Sequence, residues 1–392
     1  MAKKKKTGFS DLLAREQDLR LRKMTAKLPD WAGCDGLLVP QSLPLEQCSS
    51  SQTASFKARL LESVLPSRGT AADLTGGLGA DSWALSRVFS RVLYFERNED
   101  LCRLARQNFE TLSASGEKPL NIECQAAESG PDLIESLGQV DCVYADPARR
   151  SESGRKVFLI EDCSPDMTSL IPHIAKVSPY LLTKYSPMAD ITMLRGRLSI
   201  LEDYPVRSTG VIGLNGEVKE LLVMLSSNPV PLPQLYIADA GTQKIMSLDG
   251  IVKDARFLSP GEQMEGKVLI EPGAVLLKSG CQDAVCHVYE AKKAGRDCHL
   301  YVSDSEPCKE ELDAYVKKFR IIESAPLSKA ALKEIGRRYP VAEVSARGLH
   351  LKSEELSALL GCRSGIAKDG GHYHIFGLTI GKQKYVIAGR RL

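Results

Sequence analysis

A chain of 392 residues is too long for one ordinary hydrophobic core, so two or three domains are expected. The apolar fraction of 43% and the charged fraction of 26% are those of a globular protein, and a net charge of +3 is too small to indicate a nucleic-acid partner. No apolar run approaches the ~18 residues needed to cross a bilayer, and the basic, polar start lacks the apolar core of a secretory signal. A cytoplasmic protein is therefore expected.

The N-terminal part of the chain has a helical pattern. After the basic run Lys3 to Lys6, residues 9–33 lack strand alternation and are rich in helix formers, and a second helix is predicted over Thr53 to Val64. Ser67-Arg68-Gly69 then breaks the pattern, so a domain boundary is placed there.

Short apolar runs alternate with helical segments from residue 70 onward. This alternation favours a parallel sheet with helices on both faces. Two later runs are separated only by Asn215-Gly216, a dipeptide that supplies the positive φ angles of a type I′ hairpin. A mostly parallel sheet that ends in an antiparallel hairpin is therefore predicted. Its strands are "AADLT", "RVLYFER", "LNIECQA", "VDCVYADP" and "YLLTKYS", followed by the hairpin "VRSTGVIGL" and "EVKELLVML".

A proline-rich stretch, "SSNPVPLPQ" at 226–234, cannot continue a central strand and is interpreted as a linker. Beyond it, the pattern predicts a small α/β unit. Residues 319–392 then predict strand, helix, strand, helix and two closing strands. Basic residues are frequent at the end of the chain, which favours nucleic acid only weakly: Arg337, Arg338, Arg390 and Arg391.

A glycine-rich turn joins the first strand of the sheet to a helix, an arrangement that points helix N–H groups at a ligand. The NAD fingerprint fails, because Ser82 occupies the position of the third glycine, and no Gly-Lys-Ser/Thr of a P-loop follows. An acid precedes the glycines in the pattern Asp73-x-Thr75-x-Gly77-x-Gly79. Such an acid suits a ligand with a positively charged amino-acid end better than a pyrophosphate.

Glu96 ends the next strand, about twenty residues after the first acid, where a carboxylate can accept both hydroxyls of a ribose. Together with the glycine-rich turn, Glu96 completes a pattern that resembles the class I S-adenosylmethionine-dependent methyltransferases over residues 70–225. "DLTGGLGAD" resembles their first motif, "QAAES" their adenine-side motif, and "YADPARR" (144–150) their catalytic D/N-P-P-x motif.

A closer resemblance is to a methyltransferase family with a C-terminal THUMP-like domain, carried by "LEQCSSSQTASFKARLL", "DPARR", "EDCSPD" and "KYSPMADI". THUMP domains occur in tRNA-modifying enzymes, so the resemblance implies an RNA substrate, tRNA or rRNA. The expected α/β architecture is a helical N-terminal segment (1–68), a Rossmann-like methyltransferase domain (69–227), a linker with a small ferredoxin-like domain (228–320), and a THUMP-like domain (321–392).

The resemblance implies S-adenosylmethionine as cofactor. The cofactor-binding residues that it implies are Asp73, Thr75, Gly77, Gly79, Asp81, Glu96, Arg97, Ala127, Glu128 and Asp146. Asp146 also lies where an acceptor would orient the N–H of a base and remove its proton. The other residues implied to be catalytic are Pro147, which would rigidify the turn, Arg149 and Lys184.

Several of these residues have a second interpretation. Arg149 stands where an aromatic residue would stack on a base, but with Arg150 it could instead pair with Glu161 and Asp162. Lys184 could be a lysine solvated at a strand end. The residues Ser49, Ser50, Thr53 and Lys57 could close over the methionine end of the cofactor, although a helix cap is preferred.

Cysteine chemistry is not favoured. Cys142 lies within a strand and Cys163 lies well beyond Asp146, so neither suits a nucleophile. Eleven scattered cysteines predict reduced, mostly buried thiols. One group of cysteines and histidines lacks the C-x2-C pairs of a zinc site, so no metal is expected. The role of this group stays open: Cys281, Cys286, His287, Cys298, His299 and Cys308. His372 and His374 share a strand face and are interpreted as surface residues.

The predicted function is methylation of a nucleobase nitrogen in structured RNA. Three alternatives remain open: a methyltransferase that acts on protein or a small molecule, a non-catalytic RNA-binding protein, and a nicotinamide oxidoreductase. The sequence leaves the modified atom and the oligomeric state undecided.

Overall fold

The computed structural model describes residues 9–40, 42–116, 119–149, 160–252, 254–306 and 310–392. The basic run Lys3 to Lys6 lies outside these ranges. The chain divides into two compact units between Ser247 and Leu248, with the short segment Gly216–Val218 counted in the second unit. No helix in the described ranges is long and apolar enough to span a membrane.

The first unit contains eight α-helices and eleven strands among its described residues. The helices are α1 (Phe9–Lys27), α2 (Ser42–Gln47), α3 (Ser51–Val64), α4 (Ala80–Leu85), α5 (Glu99–Ser115), α6 (Pro131–Ser136), α7 (Met167–Val177) and α8 (Ile191–Leu198). The strands are β1 (Thr70–Asp73), β2 (Arg91–Glu96), β3 (Ile122–Ala126), β4 (Cys142–Ala145), β5 (Ala148–Arg149), β6 (Cys163–Ser164), β7 (Tyr180–Tyr185), β8 (Val206–Leu214), β9 (Glu217–Ser226), β10 (Leu235–Asp239) and β11 (Lys244–Ser247).

Nine of these strands form one sheet in the order β11-β10-β8-β9-β7-β4-β1-β2-β3. The strands from β3 to β7 are parallel, whereas β9 runs antiparallel to β7. Asn215 and Gly216 have φ angles of 54° and 80° in the turn between β8 and β9. These positive values are those of the type I′ turn that the dipeptide predicts, so the Rossmann-like sheet with a reversed strand is confirmed.

The sheet extends beyond the boundary expected at residue 227. After the proline-rich stretch, β10 pairs with β8 in parallel, and β11 pairs with β10. The prolines interrupt the strand pattern without ending the unit, because the chain crosses over and returns to the free edge of β8. The linker is therefore an internal connection of the first unit.

The N-terminal helices pack into the core of the first unit. Met24, Leu28 and Trp31 are buried in a cluster with residues of the helices that follow β1 and β2. Trp31 and Trp83 are in edge-to-face contact, with ring centroids 6.4 Å apart. The predicted N-terminal helix ends at Lys27, and Pro29–Trp31 forms a separate 3-10 turn. The segment is thus part of the methyltransferase-like unit.

The second unit contains five helices and seven strands among its described residues. The helices are α9 (Ala274–Lys278), α10 (Ala284–Val288), α11 (Glu310–Asp313), α12 (Lys329–Arg338) and α13 (Ser353–Leu360). The strands are β12 (Val268–Pro272), β13 (Lys292–Gly295), β14 (Cys298–Ser303), β15 (Val316–Pro326), β16 (Glu343–Arg347), β17 (Tyr373–Ile380) and β18 (Gln383–Arg391).

A single, mostly antiparallel sheet joins the strands of the second unit in the order β13-β14-β12-β15-β18-β17-β16. The boundary expected between residues 320 and 321 falls inside β15, which pairs with β12 on one side and β18 on the other. The eleven-residue β15 is long enough to serve both halves, so the described structure joins the two expected domains in one sheet.

The cysteines and histidines of the second unit do not form a metal site in the described ranges. No group of three or more His, Cys, Asp or Glu side chains there could hold a metal ion, and Cys308 lies outside those ranges. The ten described cysteines are free thiols. His374 differs from the surface role expected for it, because it stacks on Phe376 and lies 2.8 Å from the Ser345 hydroxyl.

Candidate active site

The predicted site residues lie at the carboxyl edge of the parallel strands. Asp73 ends β1, Glu96 ends β2, and Asp146 follows the last residue of β4. The register pairs Asp73 with Tyr94 and Tyr144, and Ala145 with Thr183 of β7, directly before Lys184. Because parallel strands end at the same edge, residues far apart in sequence meet there.

The glycine turn after β1 is held by backbone hydrogen bonds to β2 and within the turn. Gly76 N–H donates to the carbonyl of Phe95 at 2.8 Å, and Gly79 N–H donates to the carbonyl of Gly76 at 2.9 Å. Gly79 has a φ angle of 93°, and a Cβ there would lie 2.3 Å from Cζ of the Phe109 ring. A Cβ on Gly76 would lie 2.1 Å from the Tyr94 ring. Glycine is thus required at both positions, and the role of Gly76 was not predicted.

The Glu96 carboxylate fixes the turn from the neighbouring strand. Its two oxygens accept the backbone N–H groups of Gly77 at 2.9 Å and Asn98 at 2.8 Å. Asn98 in turn caps α5 through the N–H of Leu101. A carboxylate has about four acceptor positions. The half-buried Glu96 therefore retains capacity for two ribose hydroxyls, so its free acceptor positions fit the adenosine part of the expected cofactor.

Asp73 lies beneath the turn and is fully buried. Its carboxylate accepts the Ser82 hydroxyl at 2.6 Å and the Thr75 N–H at 3.0 Å, and burial raises its pKa to about 7. Ser82, which breaks the NAD fingerprint, is thus the hydrogen-bond donor that stabilises the acid. The contact expected between Asp73 and the methionine end of the cofactor stays a prediction, because here the carboxylate holds the turn itself.

Asp146 is held from two sides. Its N–H donates to the Thr75 hydroxyl at 2.6 Å, and its Oδ2 lies 2.5 Å from Nζ of Lys184. Burial alone would lower the pKa of Lys184, but Asp146 and the other carboxylates nearby outweigh it and raise that pKa. Lys184 is therefore a charged partner of Asp146. The interpretation of Lys184 as a solvated strand-end lysine is wrong, since its side chain is only 12% exposed.

A buried charge network lies behind this pair. Nζ of Lys57 is 2.8 Å from Oε1 of Glu220 and 3.1 Å from Oδ1 of Asp81. Burial would raise the pKa of Asp81, but the Lys57 and Lys184 ammonium groups lower it below its usual value. Glu220 was not predicted, since it lies 163 residues from Lys57 in the middle of the hairpin. Asp81 is thus held by a lysine of the protein, and its predicted contact with the cofactor stays a prediction.

The segment before α3 supplies both a helix cap and a site residue. Ser50 is the N-cap of α3 and accepts the Thr53 N–H at 3.3 Å, so the cap interpretation is confirmed for these two residues. The Ser49 hydroxyl instead donates to Oδ2 of Asp81 at 2.8 Å. Ser49 and Lys57 therefore belong to the charge network.

The other residues predicted for the site lie outside the network of Asp146, Lys184 and Lys57 described above. Arg97 is exposed and donates to the Ser164 hydroxyl at 3.2 Å. Ala127 N–H donates to the Glu96 carbonyl at 3.1 Å, and the adjacent Glu128 is exposed. Pro147 is buried.

The arginines after Pro147 are only partly described. Arg149 pairs with Cys163 through the backbone of β5 and β6, but its side chain and the whole of Arg150 lie outside the described part. The pairing expected with Glu161 therefore stays a prediction, although Glu161 lies 3.4 Å from Arg197. Cys142 is buried within β4, where burial raises the pKa of its thiol. That position is unsuited to a nucleophile.

Comparison with known proteins agrees with this architecture. Residues 269–308 match a family model described as a ferredoxin-like domain. The chain is similar over its full length to the solved structure of a candidate methyltransferase from Porphyromonas gingivalis W83. That match has a TM-score of 0.77 and 27% identity and covers 100% of this chain and 92% of that one. No curated protein matches the sequence of this chain.

Two further solved structures match only part of the chain. A candidate methyltransferase from Streptococcus mutans in complex with SAH has 17% identity and a TM-score of 0.31, covering 43% of this chain and 94% of that one. An rRNA methylase from Streptococcus thermophilus has 17% identity and a TM-score of 0.32, covering 46% and 98%. Scores this low carry no argument about this chain.

The full-length match and the family match therefore support one statement. The chain has a class I methyltransferase fold joined to a C-terminal ferredoxin-like domain, and its enzyme class is that of the S-adenosylmethionine-dependent methyltransferases (EC 2.1.1.-).

Proposed function

We propose that the protein transfers a methyl group from S-adenosylmethionine to a nitrogen of a nucleobase in structured RNA, either tRNA or rRNA. The observation that carries the proposal is the position of Asp146. Its side chain is 30% exposed at the carboxyl edge of the sheet, beside the glycine turn, with one oxygen 2.5 Å from the Lys184 ammonium. A charged acceptor beside a cofactor turn is what transfer to an N–H group requires.

The cofactor supplies a methyl carbon on a positively charged sulfur, which leaves as a neutral thioether when the nitrogen lone pair forms the new bond. The contribution of this chain is orientation. Asp146 accepts an N–H of the base and later its proton, and the Thr75 hydroxyl fixes the Asp146 backbone at 2.6 Å. Pro147 limits the turn after the acceptor. Arg149 contacts the base or a phosphate in this proposal.

The residues assigned to the cofactor follow the same edge. Glu96 accepts the ribose hydroxyls, and the turn containing Gly77 and Gly79 contacts the methionine part. Asp73 and Asp81 hold this surface from below through Thr75 and the first turn of α4. Residues at the ends of β2 and β3 border the adenine: Arg97, Ala127 and Glu128.

The RNA part of the proposal is supported by charge. Residues 321–392 contain twelve Lys and Arg and six Asp and Glu, a net charge of +6 compared with +3 for the whole chain. Several basic side chains are exposed and have no ion pair within the described ranges: Lys329, Lys333, Arg337, Lys382, Lys384, Arg390 and Arg391. Such residues bind phosphates. The resemblance of this segment to a THUMP-like unit supports the same substrate class.

The experiment is transfer of tritiated methyl from S-adenosylmethionine into total RNA from a strain that lacks the gene. We expect label in nuclease-sensitive material with the wild type, and mass spectrometry of the nucleosides then identifies the methylated base. Asp146→Asn is expected to lose transfer while it still binds the cofactor, because it removes the charge and keeps the size. Arg91→Met, a change at an exposed ion pair of the same sheet, is the matched control.

Other outcomes refute defined parts of the proposal. Label that resists nuclease but is lost on proteolysis means that the substrate is protein, and label in neither fraction excludes both macromolecules. Binding of NAD but not of S-adenosylmethionine in calorimetry contradicts the reaction itself. Full activity of Asp146→Asn contradicts the role of Asp146.

A further inference from the structure

The Ser49 hydroxyl lies between two lysines and one carboxylate. Its oxygen is 2.8 Å from Oδ2 of Asp81, 3.1 Å from Nζ of Lys57 and 3.3 Å from Nζ of Lys184. Ser49 is 4% exposed. Within the described ranges it is thus the contact that joins the buried Lys57 network to the Lys184–Asp146 pair.

The chemistry of these groups determines the direction of each hydrogen bond. A hydroxyl has one hydrogen and two acceptor lone pairs, an ammonium only donates, and a carboxylate only accepts. The Ser49 hydrogen must therefore point to Asp81, and its two lone pairs must face Lys57 and Lys184. All three capacities are used, so the hydroxyl is fixed and offers Lys184 an acceptor of defined position.

Lys184 is consequently held by two oxygens, Oγ of Ser49 and Oδ2 of Asp146. A lysine side chain is flexible, and one carboxylate contact would leave its ammonium free to swing with the carboxylate. The far side of Ser49 is itself anchored, because Lys57 is bound to Glu220 at 2.8 Å and 2.9 Å. Hydrogen bonds and ion pairs therefore connect Glu220 of β9 to Asp146 through Lys57, Ser49 and Lys184.

We propose that Ser49 is a positioning residue that fixes the Lys184 ammonium and, through it, the orientation of the Asp146 carboxylate during methyl transfer. This inference rests on the proposed function. It assigns part of the site to the segment before α3, which precedes the glycine turn and belongs to none of the motifs at the strand ends. Ser49 acts through Lys184 and does not contact the substrate.

Two substitutions separate positioning from simple loss of a hydrogen bond. Ser49→Ala removes one donor to Asp81 together with the acceptor for Lys184. Tyr144→Phe removes the other donor to the same Asp81 oxygen, which lies 3.0 Å from the Tyr144 hydroxyl, and leaves Lys184 untouched. Ser49→Thr keeps the hydroxyl and tests rescue. Each variant is the full chain, and its fold is checked by the fluorescence of Trp31 and Trp83.

The measurements are kcat and KM for methyl transfer into the deletion-strain RNA and the Kd of S-adenosylmethionine by calorimetry. For Ser49→Ala we expect kcat to fall by roughly 10- to 100-fold, the scale of a misplaced catalytic group, with the cofactor Kd changed less than about 3-fold. For Tyr144→Phe we expect kcat within about 3-fold of wild type, and Ser49→Thr should recover most of the lost activity.

Each contrary result has a distinct meaning. Equal loss of kcat in Ser49→Ala and Tyr144→Phe, unchanged kcat in Ser49→Ala, or loss confined to the cofactor Kd overturns the positioning role. A folded Ser49→Thr variant as inactive as Ser49→Ala overturns it as well. If the wild type neither binds S-adenosylmethionine nor labels RNA, the proposed function fails first, and the role of Ser49 in methyl transfer fails with it.

Discussion

Loss of one partner of the buried Lys57–Glu220 ion pair is expected to destabilise the first unit strongly, because the other charge stays buried without it. The ammonium lies 2.8 Å and 2.9 Å from the two carboxylate oxygens, and the side chains are only 2% and 3% exposed. Lys57→Met keeps an unbranched side chain, one heavy atom shorter, and removes its charge. Glu220 is then a buried carboxylate without its closest cation.

Removal of one partner of a buried pair costs about 3–5 kcal/mol. The loss should depend on pH. Burial raises the pKa of Glu220 above its ordinary value of 4.5, and Lys57 opposes that rise, so loss of Lys57 raises the pKa further. A carboxyl group with a raised folded-state pKa destabilises the protein as pH rises from 4.5 to that pKa. The deficit of Lys57→Met should therefore be largest at neutral pH and shrink as pH falls towards 4.5.

The assay is urea unfolding followed by tryptophan fluorescence at pH 7.5 and pH 5. Both tryptophans of the chain, Trp31 and Trp83, are buried in the first unit, so the signal reports that unit alone. Arg91→Met is the matched control. Its partner Glu123 lies 2.5 Å away, but the side chains are 45% and 53% exposed, and an exposed pair contributes only about 0–1 kcal/mol.

Two results would refute this reasoning. One is a loss in Lys57→Met no larger than that in Arg91→Met. The other is a loss that does not change with pH, since a buried Glu220 without Lys57 is expected to take up a proton as pH falls. The double variant Lys57→Met with Glu220→Leu should recover part of the stability, because it removes one of the two carboxylates, Glu220 and Asp81, that lose the Lys57 ammonium.

Three further predictions concern the glycine turn. Gly79→Ala should abolish cofactor binding and lower stability by more than about 1–2 kcal/mol. The reason is that the φ angle of Gly79 is 93° and the new Cβ would lie 2.3 Å from the Phe109 ring. Calorimetry measures the binding, and urea unfolding measures the stability. Glu96→Gln should weaken S-adenosylmethionine binding by about 1.5–3 kcal/mol, roughly 10- to 150-fold, since its hydrogen bonds lose their charge. Burial raises the pKa of Asp73 from 3.8 to about 7, so the stability of the wild type should fall as pH rises through that window. The expected fall is roughly 4 kcal/mol, since each pKa unit corresponds to about 1.4 kcal/mol. Asp73→Asn should remove this pH dependence.

Controls from the same elements make these results interpretable. Gly77→Ala shares the positive φ but places its Cβ 3.8 Å from the nearest atom, so it should be milder than Gly79→Ala. Glu123→Gln, an exposed carboxylate on the neighbouring strand, should leave the cofactor Kd unchanged. An equal effect in Gly77→Ala, an unchanged Kd in Glu96→Gln, or a pH dependence retained in Asp73→Asn would contradict the respective prediction.

Local patterns predicted the features that depend on neighbouring residues. Asn215-Gly216 predicted the hairpin because few dipeptides accept two positive φ angles, and the spacing of Glu96 from the glycines predicted its place beside the turn. The strands and helices of residues 319–392 followed from their apolar period alone. These signals act within about twenty residues, which is the range over which a sequence read alone is informative.

Other features depended on where distant segments meet. Strand β10 pairs with the free edge of β8, and the residues around the prolines do not predict this pairing. Lys57 and Glu220 are separated by 163 residues, and each alone is an ordinary charged residue of a helix or a strand. The sequence around Ser49 predicts a helix cap, whereas in the structure its hydroxyl contacts Asp81 and Lys184.

The sequence by itself determined most strands of residues 70–226, the elements of residues 319–392, the glycine turn, the acids at the strand ends and, through its resemblance, the enzyme class. Only the tertiary structure decided which of these acids face solvent and which are buried, and which cation each one meets. The physical reason is that backbone conformation and amphipathic pattern are local properties. The electrostatic state of a buried carboxylate depends on every segment that surrounds it.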